Sequence, residues 1–473
     1  MTASATTPTI FALSSGHGRA GVAVVRISGP EAGAVLEAMA PPRPLPRRAA
    51  LRRISDPANG ELLDVALVLF FAGPSSETGE DIAELHLHGS PAVVRAVLGC
   101  LSRRPTCRLA EPGEFARRAF LNGKIDLTAA EGLADLIDAE TDAQRRQALA
   151  QAGGAFARRC ETWRERLLEA RALTEAAIDF SDEADVADTA LAQARSVVAP
   201  LREEMNRHLA GAHRGEIVRD GFRVVLTGPP NAGKSSLLNA LAQRDVAIVS
   251  PEPGTTRDVL DVHLDLGGYA VNVADTAGLR ESTGNVESEG MRRAVSRARQ
   301  ADLIVWLVDA TNPIWTPPPE LLSAPDGAAP PVMFVLNKVD TLPPNAQVPT
   351  SSQQRRRSET SDAAANPATE AVRISARTGL GLPQLVDRLT TEVRMGIESG
   401  NTSETGLPTQ ARHRTALRDC CEALERYLSP ARPEPELAAE DLRLAADALG
   451  RITGRVDAEQ VLGLIFGRFC IGK

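Results

Sequence analysis

The chain has 473 residues, enough for about three domains, of which 43% are hydrophobic and only 3% aromatic, so an aliphatic, alanine-rich and largely helical core is expected. Its formal charge of -8 speaks against a protein that coats nucleic acid unaided, while leaving room for a local basic groove or a partner that supplies one. In chain order, the start "MTASATTPTIFALSSG" lacks a basic n-region and a long apolar core, so no signal peptide is expected. No run of about 20 apolar residues follows, and the expected location is cytoplasmic with no membrane association.

Residues 1 to about 120 mix strands with one clear helix. "GVAVVRIS" and "LLDVALVLFFAG" are β-branched apolar runs bounded by Gly and Pro and read as strands. "PAVVRAVLGCLSRR" opens on Pro91, a natural first helical position, and keeps helical periodicity. From Leu127 the texture turns to Ala, Leu, Glu, Arg and Gln with a 3.6-residue period, which implies a helical bundle. At Gly221 it changes again: "FRVVLTG", "YAVNVADTAG", "ADLIVWLVDA", "PVMFVLNKVD" and "AVRISA" are short buried strands with helical segments between most of them, hence an α/β domain with a largely parallel sheet. After about residue 395 the helical texture returns. The simplest architecture is one helical domain into which the α/β domain is inserted; two separate bundles are the other arrangement. The Pro-rich "TNPIWTPPPELLSAPDGAAPP" and the polar "TLPPNAQVPTSSQQRRRSETSDAAANPATEA" read as exposed or disordered loops. Arg355, Arg356 and Arg357 read as solvated linker charge rather than an RNA contact.

The predicted fold is multidomain: an α+β N-terminal domain (1–122), helical segments (123–217 and 391–473) that the simplest reading joins into one discontinuous domain, and an inserted α/β domain of P-loop, Ras-like type (218–390). The last of these carries the strongest chemistry. "GPPNAGKSS", Gly228 to Ser236, matches GxxxxGK[ST] between a strand and a helix. Backbone amides of Asn231, Ala232, Gly233 and Ser236 are expected around phosphates, Lys234 on the β and γ oxygens, and the Ser235 hydroxyl on Mg²⁺. "GTTRD" offers Thr256 as a second Mg²⁺ hydroxyl from a loop that orders around a γ-phosphate. "DTAG" puts Asp275 at a strand end beside Mg²⁺, with Thr276, Ala277 and the Gly278 amide near the γ-phosphate. "NKVD" selects guanine: Asp340 accepts from the guanine N1 and N2 groups, while Asn337, Lys338 and Val339 form the loop and hold the ring. "SAR", Ser375, Ala376 and Arg377, closes the base site. The ligand expected is GTP.

Hydrolysis needs a positioned water and charge stabilisation at the transferring group. Leu279 follows "DTAG", where Ras-like proteins have glutamine, and it cannot orient water. Glu281 and Glu287 are the carboxylate candidates, and both would serve equally well as solvated helix-end acids. No arginine finger is evident. Asn231, with carbonyls of "SPEPGTT" (Ser250, Pro251, Glu252, Pro253, Gly254, Thr255 and Thr256), is placed to hold a monovalent cation that supplies the same charge. The six cysteines lack CxxC spacing and form neither a disulfide scaffold nor a zinc signature. Cys470, in the closing "FGRFCIGK", admits three readings: a poor prenylation box, an inert thiol, or a tethered reactive group.

"GPPNAGKSS", "GTTRD", "DTAGLRE" and "FCIGK", together with "GRAGVAVVRISGP", "TGEDIAELHLHG" and "AEPGEFARRAFLNGKIDLTAAEGLADLIDA", make the chain resemble the MnmE (TrmE) family of potassium-activated tRNA modification GTPases. The resemblance implies an N-terminal domain that binds folate and forms a homodimer. It also implies a tetrahydrofolate derivative, 5-formyl or 5,10-methylene, as source of a one-carbon unit. An MnmG-type partner carrying FAD and using NADH is implied, in a heterotetramer or larger complex, together with tRNA as substrate. The implied product is an aminomethyl or carboxymethylaminomethyl group on carbon 5 of the wobble uridine. Carried onto this sequence, folate contacts fall on Arg26, Glu84, Lys124 and Lys473, and K⁺ ligands on Asn231, Ser250, Glu252 and Thr255. The hydrolytic carboxylate maps to Glu287, switch residues to Arg257, Asp258 and Arg280, and a catalytic thiol to Cys470. Departures are Pro251 and Pro253 in the cation loop and Glu77 where the family tends to have an aromatic. The competing class is a regulatory, ribosome-assembly-type GTPase without covalent chemistry, which fits the α/β domain but not the N-terminal region.

Overall fold

The computed structural model describes residues 7–182, 184–244, 246–248, 261–275, 297–322, 329–343, 367–398, 406–430, 434–456, 459–469 and 471–472. The chain divides into two units, Met1–Ile137 with Ala150–Met205 and Thr415–Lys473, and Asp138–Leu149 with Asn206–Arg414.

The first unit opens on a six-stranded sheet of β1 (Thr9–Leu13), β2 (Ala20–Ser28), β3 (Ala50–Ser55), β4 (Leu62–Phe71), β5 (Ile82–Gly89) and β6 (Cys107–Leu109) in the order β3-β4-β5-β2-β1-β6. Only the β1–β6 pairing is parallel. Alternation decides the faces. Ala66, Val68 and Phe70 of β4, with Val25, Ile27, Leu85 and Leu87, point into a core shared with α1 (Ala32–Met39) and α2 (Pro91–Ser102). Each large aliphatic side chain buried there contributes about 1.5–3 kcal/mol. α2 begins where the sequence puts it, with Pro91 in its first turn and the Ser90 hydroxyl accepting from the Ala92 amide. The opposite face carries Arg26 directly across from Glu84, and Leu51 across from Leu67. α3 (Glu114–Leu121) brings Phe115 against Ile10 and Ala12 on the β1 side.

Beyond it run α4 (Leu127–Ile137), α5 (Asp142–Ala152), α6 (Ala155–Asp179) and α7 (Ala184–Asp220). The second unit holds a sheet of β7 (Phe222–Thr227), β8 (Asp261–Leu266), β9 (Tyr269–Asp275), β10 (Leu303–Asp309), β11 (Val332–Asn337) and β12 (Val372–Arg373), ordered β12-β11-β10-β7-β9-β8. It is parallel except for the edge strand β8, which pairs antiparallel with β9. α8 (Lys234–Ala242) follows β7, and α9 (Leu382–Glu398) follows β12. β7 lies between β9 and β10, so the connections diverge at its carboxyl end, where open α/β sheets form their ligand crevices.

The Pro-rich stretch after β10 departs from the expected exposed loop. Trp315 and Leu321 are buried with Trp306 and Ala310, and the Trp306 indole donates to the Ile314 carbonyl at 2.9 Å. Two large apolar side chains provide the burial that offsets the cost of ordering this segment.

The returning helices α10 (Ala411–Leu428), α11 (Pro435–Thr453) and α12 (Glu459–Phe466) decide between the two helical arrangements. α11 packs along α6, and the Thr174 hydroxyl of α6 meets the Tyr427 hydroxyl of α10 at 3.1 Å in the buried interior. The flanking helical blocks thus build one assembly, interrupted in sequence by the α/β segment. Cys100, Cys107, Cys160, Cys420 and Cys421 are buried free thiols; burial raises the Cys420 thiol well above its ordinary range and pushes Cys421 up to about 11, so these five are packing groups. None of the described helices is long and apolar enough to cross a membrane.

Candidate functional site

The loop from β7 to α8 is built for close approach. Gly228 and Gly233 have φ of 149° and 96°, and Asn231 also adopts positive φ at 62°. A Cβ at Gly233 would collide with the Asn337 amide nitrogen, and one at Gly228 with the Leu307 carbonyl. Lys234 turns its ammonium back onto the Gly228 and Pro229 carbonyls, both at 3.0 Å. Burial lowers its pKa, and Asp275 opposes that shift. The Ser235 hydroxyl donates to Asp275 Oδ2 at 2.9 Å, so the two oxygen groups expected around Mg²⁺ stand together at the start of α8.

The base-selecting loops are assembled by one side chain. Asn337, 2% exposed, donates from Nδ2 to the Ala232 carbonyl at 2.8 Å and accepts at Oδ1 from the Ala376 amide at 3.0 Å. It therefore ties the phosphate loop to the "SAR" loop. Lys338 stands at φ 65° and pairs through its ammonium with Asp309 Oδ2 at 2.6 Å. Burial works against ionisation of Asp309, but the bonds from Lys338 and Thr311 overcome it and hold the carboxyl below its usual range. Val339 continues into a short 3₁₀ turn. The Asp340 carboxyl is likewise held low, by the Ser375 hydroxyl first and also by Arg377, whose Nη2 lies 2.9 Å from Oδ2. Asn231, Ala232, Gly233, Lys234, Ser235, Ser236, Asp275, Asn337, Lys338, Val339, Asp340, Ser375, Ala376 and Arg377 thus belong to loops at the carboxyl edge of the sheet and the start of α8. Ser250 through Thr256, Arg257, Asp258, Thr276, Ala277, Gly278, Arg280, Glu281, Glu287, Cys470 and Lys473 lie outside the described residues.

In the N-terminal domain the structure joins Arg26 and Glu84 directly. Arg26 Nε and Nη2 reach Glu84 Oε1 at 3.3 and 3.2 Å, while Nη1 reaches Glu77 Oε2 at 3.1 Å. Its guanidinium also sits 5.8 Å from the Phe115 ring centroid. The second Glu84 oxygen meets His86 Nε2 at 3.2 Å. The adjoining loop is fixed from below: Thr78 Oγ1 meets Ser28 Oγ at 2.8 Å, Glu80 is held by Arg118 at 2.9 Å, and the Asn122 amide donates to the Thr78 carbonyl at 2.7 Å. Lys124 lines a cavity whose walls do not include Arg26 or Glu84. Against the same domain lies the segment around Cys470. Phe469 is buried, Ile471 bridges to Pro112, and the Ser14 hydroxyl donates to the Gly472 carbonyl at 2.8 Å.

The description "MnmE helical domain" matches residues 127–470 and "GTP-binding protein TrmE N-terminus" matches residues 9–124. A tRNA modification GTPase MnmE of Beijerinckia indica subsp. indica is 49% identical over 469 residues, covering 99% of this chain and 97% of that protein. The protein of the same name from Rhodopseudomonas palustris is 50% identical over 465 residues, covering 98% of this chain and 99% of that one. The chain belongs to the MnmE family. The MnmE helical match has its bounds on either side of the α/β segment, which agrees with helices on either side of it packing together.

Some groups in this MnmE-family chain escape motif reading. Asp309 closes a strand one position over from the base loop, and only the β10–β11 register brings it to Lys338. Glu77 finds Arg26 through a loop contact with no sequence signal. His86 was accessible in principle: it stands two residues after Glu84 on one strand and so shares its face.

Proposed function

We propose that this chain is a GTP-hydrolysing tRNA modification enzyme. The observation that carries the reading is Asn337, which joins a phosphate loop to a guanine-type base loop within a chain that matches its family over nearly its full length. Lys234 and the amides of Asn231, Ala232, Gly233 and Ser236 neutralise and orient the triphosphate. Ser235 and Thr256 hold Mg²⁺ with Asp275 behind them; the 2.9 Å Ser235–Asp275 pairing fits that role. Asp340 accepts from the guanine edge, and the Ser375 and Arg377 contacts that keep it ionised support this. Asn231, Ser250, Glu252 and Thr255 hold K⁺, and Glu287 orients water for attack on the γ-phosphate.

The chemistry that this switch gates belongs to the N-terminal domain and Cys470. Arg26, Glu84, Lys124 and Lys473 hold a tetrahydrofolate derivative, which when bound supplies the one-carbon unit. The acid and the cation of the Arg26–Glu84 pair suit the donor edge and carbonyls of a pterin. The Cys470 thiolate adds to carbon 6 of the wobble uridine, moving the carbon 5–carbon 6 electron pair toward carbon 5, which bonds to the transferred one-carbon unit; loss of the carbon 5 proton to solvent then restores the double bond and expels the thiolate. An MnmG-type partner brings FAD and NADH to a homodimer of this chain in the cytoplasm.

The test is mass spectrometry of wobble nucleosides from a strain whose own copy is deleted and replaced by wild type, Lys234→Ala or Cys470→Ser. Modified uridine is expected with wild type only, GTP turnover being lost in Lys234→Ala and kept in Cys470→Ser. Persistence of the modification in the uncomplemented deletion overturns the reading.

A further inference from the structure

In the first unit, the segment from Phe120 to Ala129, the start of α6 and the turn after α11 line an open cavity of about 660 Å³. Its charged lining consists of Lys124, Arg158, Arg455, Asp126 and Glu161. Both acids are already engaged. Asp126 Oδ1 caps α4 by accepting from the Thr128 amide at 2.8 Å, the Thr128 hydroxyl at 2.6 Å and the Ala129 amide at 3.0 Å. Glu161 takes Arg164 on both oxygens at 3.1 Å and Arg455 at 2.8 Å; Arg164 first, and Arg455 after it, hold its carboxyl below the usual range. The cations are less occupied. Lys124 is exposed, and its ammonium has no ion-pair or hydrogen-bond partner among the described residues, the backbone amide alone donating to the Ala119 carbonyl. Arg158 gives Nη1 to the Gly153 carbonyl at 2.6 Å, leaving most of its five donors. Gly123, Gly153, Gly154 and Gly454 add backbone to the wall beside apolar groups such as Phe120 and Ile125, so the cations face a roomy space of mixed polar and apolar lining.

Lys124 is also the link to the Arg26–Glu84 pair. A Cβ on Gly79 would lie 3.2 Å from Lys124 Cε, and Gly79 is two residues from Glu77, which holds Arg26. One loop therefore meets Arg26 through Glu77 and Lys124 through Gly79. We infer that the cavity takes the anionic γ-glutamyl tail of a polyglutamylated folate whose ring system sits at Arg26 and Glu84. This rests on the folate reading of that pair. A γ-glutamyl chain offers carboxylates to Lys124, Arg158 and Arg455, and amide N–H groups to the glycine carbonyls. A nucleic-acid phosphodiester only accepts, and it would leave those acceptors facing its own charge.

Full-length protein is titrated with 5-formyl-tetrahydrofolate carrying one or four glutamates, as wild type and as the Arg158→Gln/Arg455→Gln double variant, with Arg158→Glu alone in case loss of the Arg455–Glu161 pair impairs folding. Wild type is expected to bind the tetraglutamate at least about tenfold more tightly than the monoglutamate at 0.1 M salt, and the variants to bring that ratio toward one. Equal affinities in wild type, or an undiminished ratio in the variants, overturns the tail site while leaving the folate reading in place. Failure of both folates to bind overturns the folate reading and the tail site with it. If wild type shows no tail preference and the variants instead lose affinity for tRNA, the cavity is an RNA contact and the inference falls.

Discussion

Replacing Asn337 by Ala separates the two halves of the nucleotide site. The side chain meets two backbone groups, the Ala232 carbonyl at 2.8 Å and the Ala376 amide at 3.0 Å. Ala232 is fully buried, whereas Ala376 is half-buried and reachable by water. Leaving a buried polar group without its partner costs about 1–3 kcal/mol, and partial rehydration at Ala376 keeps the pair toward about 2–4 kcal/mol in all. Since both loops must be in place to hold nucleotide, most of that cost is expected in binding, an affinity loss of about 30-fold or more at about 1.4 kcal/mol per tenfold. Asn337→Asp is expected to be worse, because it keeps the acceptor for Ala376 but turns an oxygen toward the Ala232 carbonyl. Equilibrium titration with a fluorescent GDP analogue reads the effect, and circular dichroism checks the fold. A folded Asn337→Ala protein that binds GDP within threefold of wild type refutes the reasoning.

Three further outcomes follow from other contacts. Arg118, with 7% of its side chain exposed, joins Glu80 and Glu114. Arg118→Met removes the cation these two carboxylates share, leaving Glu114 to Arg108 and Glu80 to the Ser28 hydroxyl, and is expected to cost up to about 3–5 kcal/mol, read as a lower urea midpoint for the N-terminal signal; an unchanged midpoint counts against it. For Glu114, burial alone would raise the pKa, but Arg108, the Glu111 amide and Arg118 bring it below 4.5. Because the folded pKa is the lower one, its stabilisation is complete above about 4.5 and drains as pH falls through the folded value; Glu114→Gln should flatten that part of the acid unfolding curve, and an unchanged slope would exclude the pair as its cause. Trp315→Ala removes a buried indole and should destabilise the α/β unit by about 3–5 kcal/mol, visible as faster hydrogen exchange in β10 and β11; exchange at wild-type rates would mean the segment packs only loosely.

Legibility from sequence followed burial. β2, β4, β7, β10 and β11 lie within apolar β-branched runs, and their register needs little else. β8, "DVHLDL", is an edge strand with polar residues at alternate positions, and β3, "ALRRIS", is another; neither carries the composition of a buried strand. The phosphate and base loops were readable because each depends on a few residues at fixed local spacing. The partners that hold those residues are set by strand order instead, as with Asp309 and Lys338, which are 29 positions apart. Arg26 shows the same limit: its pairing with Glu84 follows from the β2–β5 register, and Glu77 arrives from a loop.

The docking of Phe469–Gly472 has a consequence for how the protein is made. The Ser14 hydroxyl and the Gly472 carbonyl it binds are 458 positions apart, and Gly472 stands at φ 103°, where a Cβ would strike the Leu13 carbonyl. A ribosome extends chains at about 5–20 residues per second, so Leu13, Ser14 and Pro112 emerge some tens of seconds before the residues that cover them. Until then the surface of the N-terminal domain that receives Ile471 and Gly472 stays open, and only chains extended that far cover it. Occupancy of that surface reports, in a single contact, that translation has run through to residue 472.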